Sequence, residues 1–242
     1  MCGRYAFTKT DGKKLKERFK LSKVPEKLEP HYNIAPSQDV PAILNESPHE
    51  ISMIRWGLIP HWAKEENTQY SMINAKAETL TERPAYRGPV RHKRCLILAD
   101  SFYEWKLAPG RKSSGMRSLA SHEKRQGGRA DGKKSPYRIM MKDEGVFAFA
   151  GIWDLWGEKE KGIYSCSIIT TESNRLLKGI HERMPVILPQ DKEDAWLSEI
   201  GIEDVKRLLK PYDDKEMDAY EISTLVNSPK NDSADIFAPV DH

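Results

Sequence analysis

The sequence predicts a β-rich α+β domain with mostly antiparallel strands. Three observations carry that prediction. Five short stretches are continuously apolar or alternate apolar with polar, as strands do. Helical periodicity is confined to one short segment near the start and two near the end. Six Trp, nine Tyr and six Phe supply bulk for a core, although only 38% of the 242 residues are hydrophobic and 31% are charged.

In chain order, the segment 11–21 (DGKKLKERFKL) sets Leu15, Phe19 and Leu21 among charges, which predicts a short amphipathic surface helix. PHYNIAPSQDVPAIL follows, where Pro30, Pro36 and Pro41 indicate loops feeding short strands. EISMIRWGLIP alternates and is aromatic, so it reads as a strand. RCLILADSFYEW reads as one strong buried strand: Leu96, Ile97, Leu98 and Ala99 are continuous, and Tyr103 and Trp105 flank Glu104. PYRIMMK, VFAFAGIWDLW and YSCSIITT are three further strands, and helices are expected around QDKEDAWLSE and IEDVKRLLKPY. No internal repeat of solenoid length is present.

From Lys106 to Lys134 the chain is Gly/Ser-rich and basic, with almost nothing to bury. It reads as a mobile loop, an insertion at about 107–135 within one domain of residues 1–230, with 231–242 as a C-terminal tail. A basic arm for a phosphate backbone and a merely solvated hairpin both fit that composition. The net charge of +3 is too small to mark a nucleic-acid binder by itself. No apolar run approaches the roughly 20 residues that span a bilayer, and the start lacks a signal-peptide core. Cys2, Cys95 and Cys166 are odd in number and widely spaced, forming neither a CxxC metal pair nor a disulfide framework. A reducing, cytoplasmic setting is the expectation.

The opening MCGRY places a cysteine directly behind the first methionine. Cysteine is small enough for methionine aminopeptidase to remove Met1, which would leave an α-amine and a thiol on adjacent carbons. Such a 1,2-aminothiol is a two-handed nucleophile for aldehydes; position alone leaves an incidental cysteine open. Four other stretches carry polar residues that burial does not explain. INAKAETL holds Asn74, Lys76 and Glu78; DSFYEW holds Glu104 at the end of an apolar strand, where desolvation raises a carboxylate's pKa. IHERMPVIL holds His181 and Arg183, and VNSPKN holds Asn227 in a turn-forming context. Taken singly, Glu104 also fits a rim salt bridge and His181 a structural imidazole.

Jointly, MCGRY, YNIAPSQ, RWGLIPHW, INAKAET, LADSFYEW, AFAGIWD, IITTESN, IHERMPVIL and the late VN resemble, in order, the SRAP family, the SOS-response-associated-peptidase-like proteins. The resemblance runs from Cys2 to about Asn227. It implies a single SRAP-type domain, mainly antiparallel and barrel-like with flanking short helices, that crosslinks to abasic sites in single-stranded DNA. It assigns catalysis to Cys2, Asn74, Glu104 and His181. It also implies autoproteolytic loss of Met1 and AP-lyase activity, with no metal or organic cofactor. Arg4, Lys76, Arg83, Arg87 and Arg183 suit phosphates, Asn33 and Pro36 of YNIAPSQ complete the DNA-contacting set, and Trp62 suits stacking or wedging beside a lesion. The expected partner is single-stranded DNA with abasic sites, at replication forks or single-strand/double-strand junctions, met by a monomer in the cytoplasm or, in a bacterium, at the nucleoid. Two rivals stay open: a cysteine peptidase acting on other proteins, and a non-covalent single-stranded-DNA module. Lys76 stands where the family often has Arg, and Ala63 where some relatives carry a second aromatic.

Overall fold

The computed structural model describes residues 2–66, 72–107 and 134–240. Two sheets share one core. Strands β1 (Tyr5–Phe7), β2 (His31–Ile34), β7 (Ser101–Leu107), β8 (Lys134–Met141) and β13 (Met217–Glu221) form the first, in the order β13-β8-β7-β1-β2. The second is a ring: β3 (Asp39–Leu44), β4 (Ser47–Trp56), β6 (Arg94–Ala99), β9 (Phe147–Trp156) and β10 (Ile163–Glu172) run β10-β4-β3-β6-β9, and β9 closes back on β10. Short strands β5 (Asn74–Lys76), β11 (Arg183–Pro185) and β12 (Ile187–Leu188) extend it. Most pairings are antiparallel; β10 pairs in parallel with β4 and β5. The barrel-like α+β domain implied by the sequence is therefore present.

The barrel closes tightly because β9 carries Gly151, opposite Cys95 on one side and Ile168 on the other. A Cβ there would lie 2.7 Å from both Cys95 Sγ and Ile97 Cδ1, so only glycine lets β6 pack this close. Pro41 is tolerated in β3 because the β6 ladder begins only at Ala42, so no missing N–H is felt. Edge-on aromatic contacts join the sheets: Tyr5 meets Trp56 and Phe149, and Phe149 meets Phe102.

Helix α1 (Gly12–Phe19) buries Leu15 and Phe19, and Asp11 caps it by accepting from the Lys13 and Lys14 amides. Two one-turn helices follow, α2 (Pro84–Arg87) and α3 (Pro89–His92); the expected late pair is α4 (Gln190–Leu197) and α5 (Ile202–Leu208).

RCLILADSFYEW departs from expectation. It is two strands in two sheets, broken at Asp100. The Asp100 carboxylate accepts the Thr8 amide and hydroxyl, the Lys9 amide and the Ser101 hydroxyl, so it anchors the corner to the end of β1. The insertion lies outside the described residues from 108 to 133; its flanks Leu107 and Lys134 pair directly. Residues 231–240, set apart above as a tail, are packed: Ile236 is fully buried with Ala6, Tyr103, Ile222 and Val226. Through Ile236 and half-buried Phe237 the segment packs against Ala6 of β1 and Tyr103 of β7.

Candidate active site

The candidate residues meet at the seam between the two sheets. From the first sheet come Cys2, just before β1, and Glu104 on β7; the Arg4 carbonyl accepts the Tyr103 amide, which runs residues 2–4 beside this part of β7. From the barrel come Asn74, opening β5, and His181, two residues before β11. The alternation of β7 aims Glu104. Tyr103 and Trp105 face the small outer cluster, so Phe102 and Glu104 face the main core, where Cys2 also lies.

The seam is closed by specific contacts. Asn74 Nδ2 donates to the Cys2 carbonyl at 2.7 Å, and Asn74 Oδ1 is buried without a hydrogen bond among the described residues. Cys2 is fully buried. Burial, reinforced by the Glu104 charge, holds its thiol well above the usual range. Glu104 is also buried, and desolvation raises its pKa, opposed by the charges of the terminal amine and His181. His181 is half-buried, with Nδ1 against the Arg183 main chain. Among the described residues no group of three His, Cys, Asp or Glu is arranged to hold a metal.

A groove of about 370 Å³ opens beside Asn74, lined by Trp62, Met72, Lys76, Arg83 and Tyr86 among others. Trp62 is 56% exposed, too open for a core tryptophan, and Lys76, Arg83 and Arg87 are exposed cations. Pro36 is half-buried on the turn joining β2 and β3. Three expected DNA contacts are engaged internally. Asn33 is buried; its amide donates to the Val226, Ser228 and Asn231 carbonyls, and its oxygen accepts from Arg4. Arg4 also donates to the Val226 carbonyl, and desolvation lowers its pKa. Arg183 is paired with Glu78 and hydrogen-bonded to Thr170. Asn33 thus holds a turn, while Arg4 keeps only part of its guanidinium for a ligand.

Sequence reasoning missed the anchors of the Trp62 loop. The Ile59 amide donates to Ser165 Oγ, the His61 amide and ring to Asp154, and the Trp156 indole N–H to the Ala63 carbonyl. Alternate residues 59, 61 and 63 are tied down while Trp62 stands out. Asp154 is 1% exposed and also accepts Lys93 Nζ at 2.6 Å, which with the His61 bonds outweighs burial and lowers its pKa. Its signal was legible: Asp154 is the one charge in the apolar run VFAFAGIWDLW. Tyr86 and the Glu78–Arg183 pair gave no such signal, because their partners are remote in sequence.

A ring-closed α+β domain with a buried thiol and carboxylate and a half-buried amide and imidazole at one seam defines a narrow class. Residues 1–229 match the family model described as SOS response associated peptidase (SRAP), and the chain belongs to that family. It is 46% identical over 219 residues to abasic site processing protein YoaM of Bacillus subtilis (strain 168), covering 88% of this chain and 87% of that one. Abasic site processing protein HMCES of Rattus norvegicus is 32% identical over 244 residues, covering 90% of this chain and 67% of that protein. A crystal structure of a Bacteroides thetaiotaomicron protein superposes with a TM-score of 0.80 at 30% identity, covering 99% of this chain and 100% of that one. One from Bordetella bronchiseptica shares the fold at a TM-score of 0.72 and 22% identity, covering 92% and 100%.

Proposed function

We propose that this protein processes abasic sites in single-stranded DNA by covalent capture through Cys2 after loss of Met1. One observation carries the reading: Asn74 grips the Cys2 main chain at a seam where Glu104 and His181 meet, beside a groove bearing Trp62 and exposed cations. The names of the relatives point the same way.

The chemistry follows from the groups. A ring-opened abasic site presents an aldehyde. The neutral α-amine, with a reference pKa of about 7.7–8.0, is a better nucleophile near neutrality than Lys at about 10.4. Its nitrogen attacks the aldehyde carbon to give a carbinolamine, which loses water to form the imine. The Cys2 sulfur then bonds to the imine carbon while its proton passes to the nitrogen, closing a five-membered thiazolidine. That closure is intramolecular and gains from a high effective concentration. Glu104, whose raised pKa suits it to hold and release a proton, serves ring opening and dehydration. His181 serves the sugar oxygen or imine, and Asn74 positions Cys2. No cofactor takes part.

Hydrolysis of the Met1–Cys2 bond consumes one water and uses the same groups, and β-elimination from the imine gives AP-lyase activity. The working setting is cytoplasmic single-stranded DNA at forks or junctions, with the protein acting as a monomer. The test is the intact mass after incubation with abasic single-stranded DNA. The expected product has lost methionine and gained the DNA strand less one water. Retained methionine with no adduct would sink the reading. Equal, salt-sensitive binding to intact and abasic strands without an adduct would favour a non-covalent module. Turnover of unrelated peptides would favour a peptidase.

A further inference from the structure

The main chain just after His181 turns back on the imidazole. His181 Nδ1 lies 3.0 Å from the Arg183 amide nitrogen and 3.2 Å from the Arg183 carbonyl oxygen. A bare Nδ1 accepts from the amide; a protonated Nδ1 donates to the carbonyl. The base form, with Nε2 bare, and the acid form, the imidazolium, both keep the proton on Nδ1, so Nδ1 donates to the Arg183 carbonyl in each and the ring keeps one orientation. Proton transfer at Nε2 then needs no turn of the ring.

The Arg183 side chain adds to the β11–β10 pairing and the Ser173 amide's bond to the Glu182 carbonyl in holding this stretch of main chain. Its two terminal nitrogens form a fork onto Glu78, at 2.6 and 3.0 Å, and one also donates to the Thr170 carbonyl at 2.6 Å. Thr170 lies on β10, level with Lys76 of β5, and Arg183 pairs with Glu172 of the same strand. Glu78 sits in the turn directly after β5, and its bond to Arg183 holds its carboxyl below the usual range, so it stays charged. The fork thus ties the strand that carries Asn74 to the strand that follows His181.

We propose that Glu78 and Arg183 are positioning residues for His181. They fix the peptide whose carbonyl accepts from Nδ1 in both the base and the acid form of the ring. This rests on reading His181 as a proton-transfer group. The charged and titratable groups around it are Glu104 of β7, beside Cys2, with Glu182, Arg183 and Glu78 on its own side.

The test is single-turnover crosslinking to saturating abasic single-stranded DNA between about pH 5.5 and 9, the range over which an imidazole titrates. Wild type, Glu78→Gln and Arg183→Gln are compared, with melting temperature and affinity for a non-reactive tetrahydrofuran analogue measured alongside. Both variants are expected to lower the plateau rate by about 10- to 100-fold, as a misplaced catalytic group does. The histidine limb should move in opposite directions. Glu78→Gln leaves the Arg183 cation uncompensated and shifts the limb to lower pH; Arg183→Gln leaves the Glu78 anion and shifts it higher. Should Arg183→Gln not fold, Arg183→Lys keeps the charge but not the fork, and predicts a slow plateau with an unmoved limb. Unchanged plateau and profile in the variants overturn the proposal. So does weaker analogue binding with a wild-type plateau, which makes Arg183 a phosphate contact. A wild type that forms no crosslink takes down the proposed function as well; a reactive wild type with indifferent variants overturns only this inference.

Discussion

Arg94 and Glu104 are both buried and ionisable, on consecutive strands of different sheets, yet their surroundings have little in common. Arg94 is 1% exposed and donates to four carbonyls, those of Trp196, Val90, Arg91 and Ser198. Several of these lie at the C-terminal ends of α3 and α4, where the helix dipole favours a cation. The groups Arg94 bonds to are main-chain carbonyls with no proton to exchange, and the nearby Glu199 charge supports the cation. Glu104 instead lies beside a thiol and an imidazole, each able to change its protonation. A buried charge ringed by carbonyls holds a scaffold together, whereas one ringed by titratable groups is placed for chemistry.

The largest expected break in this comparison is Cys2→Ser, which leaves the scaffold intact and removes the ring-closing sulfur. At most a reversible imine should form, since serine would close only a less favourable oxazolidine. Denaturing gels after heating check this: a heat-stable adduct in wild-type yield would falsify the thiazolidine assignment.

Glu104→Gln comes next. It should slow crosslinking by about 10²- to 10⁴-fold while affinity for the tetrahydrofuran analogue stays nearly constant. It also has a signed effect on stability. Because burial raises the folded pKa of Glu104, the wild type carries a destabilising charge at neutral pH. The variant should therefore be the more stable protein near pH 7, and its advantage should fade as the pH falls through the raised folded pKa and be gone below the ordinary glutamate range. Denaturant titrations at several pH values read this out; an advantage that grows on acidification means the sign is wrong.

Arg94→Lys should do the reverse. Lysine keeps the charge but cannot reach four carbonyls, and each orphaned buried acceptor costs about 1–3 kcal/mol. A loss of about 2–4 kcal/mol is expected, with the single-turnover rate unchanged at 25 °C. A slowed reaction in a fully folded Arg94→Lys would erase the distinction between scaffold and chemistry.

Trp62→Ala should weaken binding to the analogue strand by about 1–3 kcal/mol, the usual worth of a stacked base, without altering the rate at saturation. Fluorescence anisotropy checks it, and unaltered affinity removes Trp62 from the interface. Smallest of all, Lys76→Arg restores the residue frequent in the family. It should tighten binding by no more than about 1 kcal/mol, the typical range of an exposed charge contact. A larger gain would mean that the lysine weakens a contact central to DNA binding.

The sequence by itself determined the local pattern. The strands of β4, β8, β9 and β10, the capped helix α1 and the inward face of Glu104 all follow from period, composition and turn chemistry, which act over a few residues. The ordered motifs likewise named the residues that the fold brings to one seam. Tertiary structure alone decided the rest. The break at Asp100 depends on Thr8 and Lys9, which neither apolar flank of that run reveals. The parallel pairing of β10 with β4, the engagement of Asn33 and Arg183, and the pinning of the Trp62 loop by Asp154 join residues far apart along the chain. A side chain's type states which bonds it can make, but which groups come within about 3 Å of it is set only when the whole chain has packed.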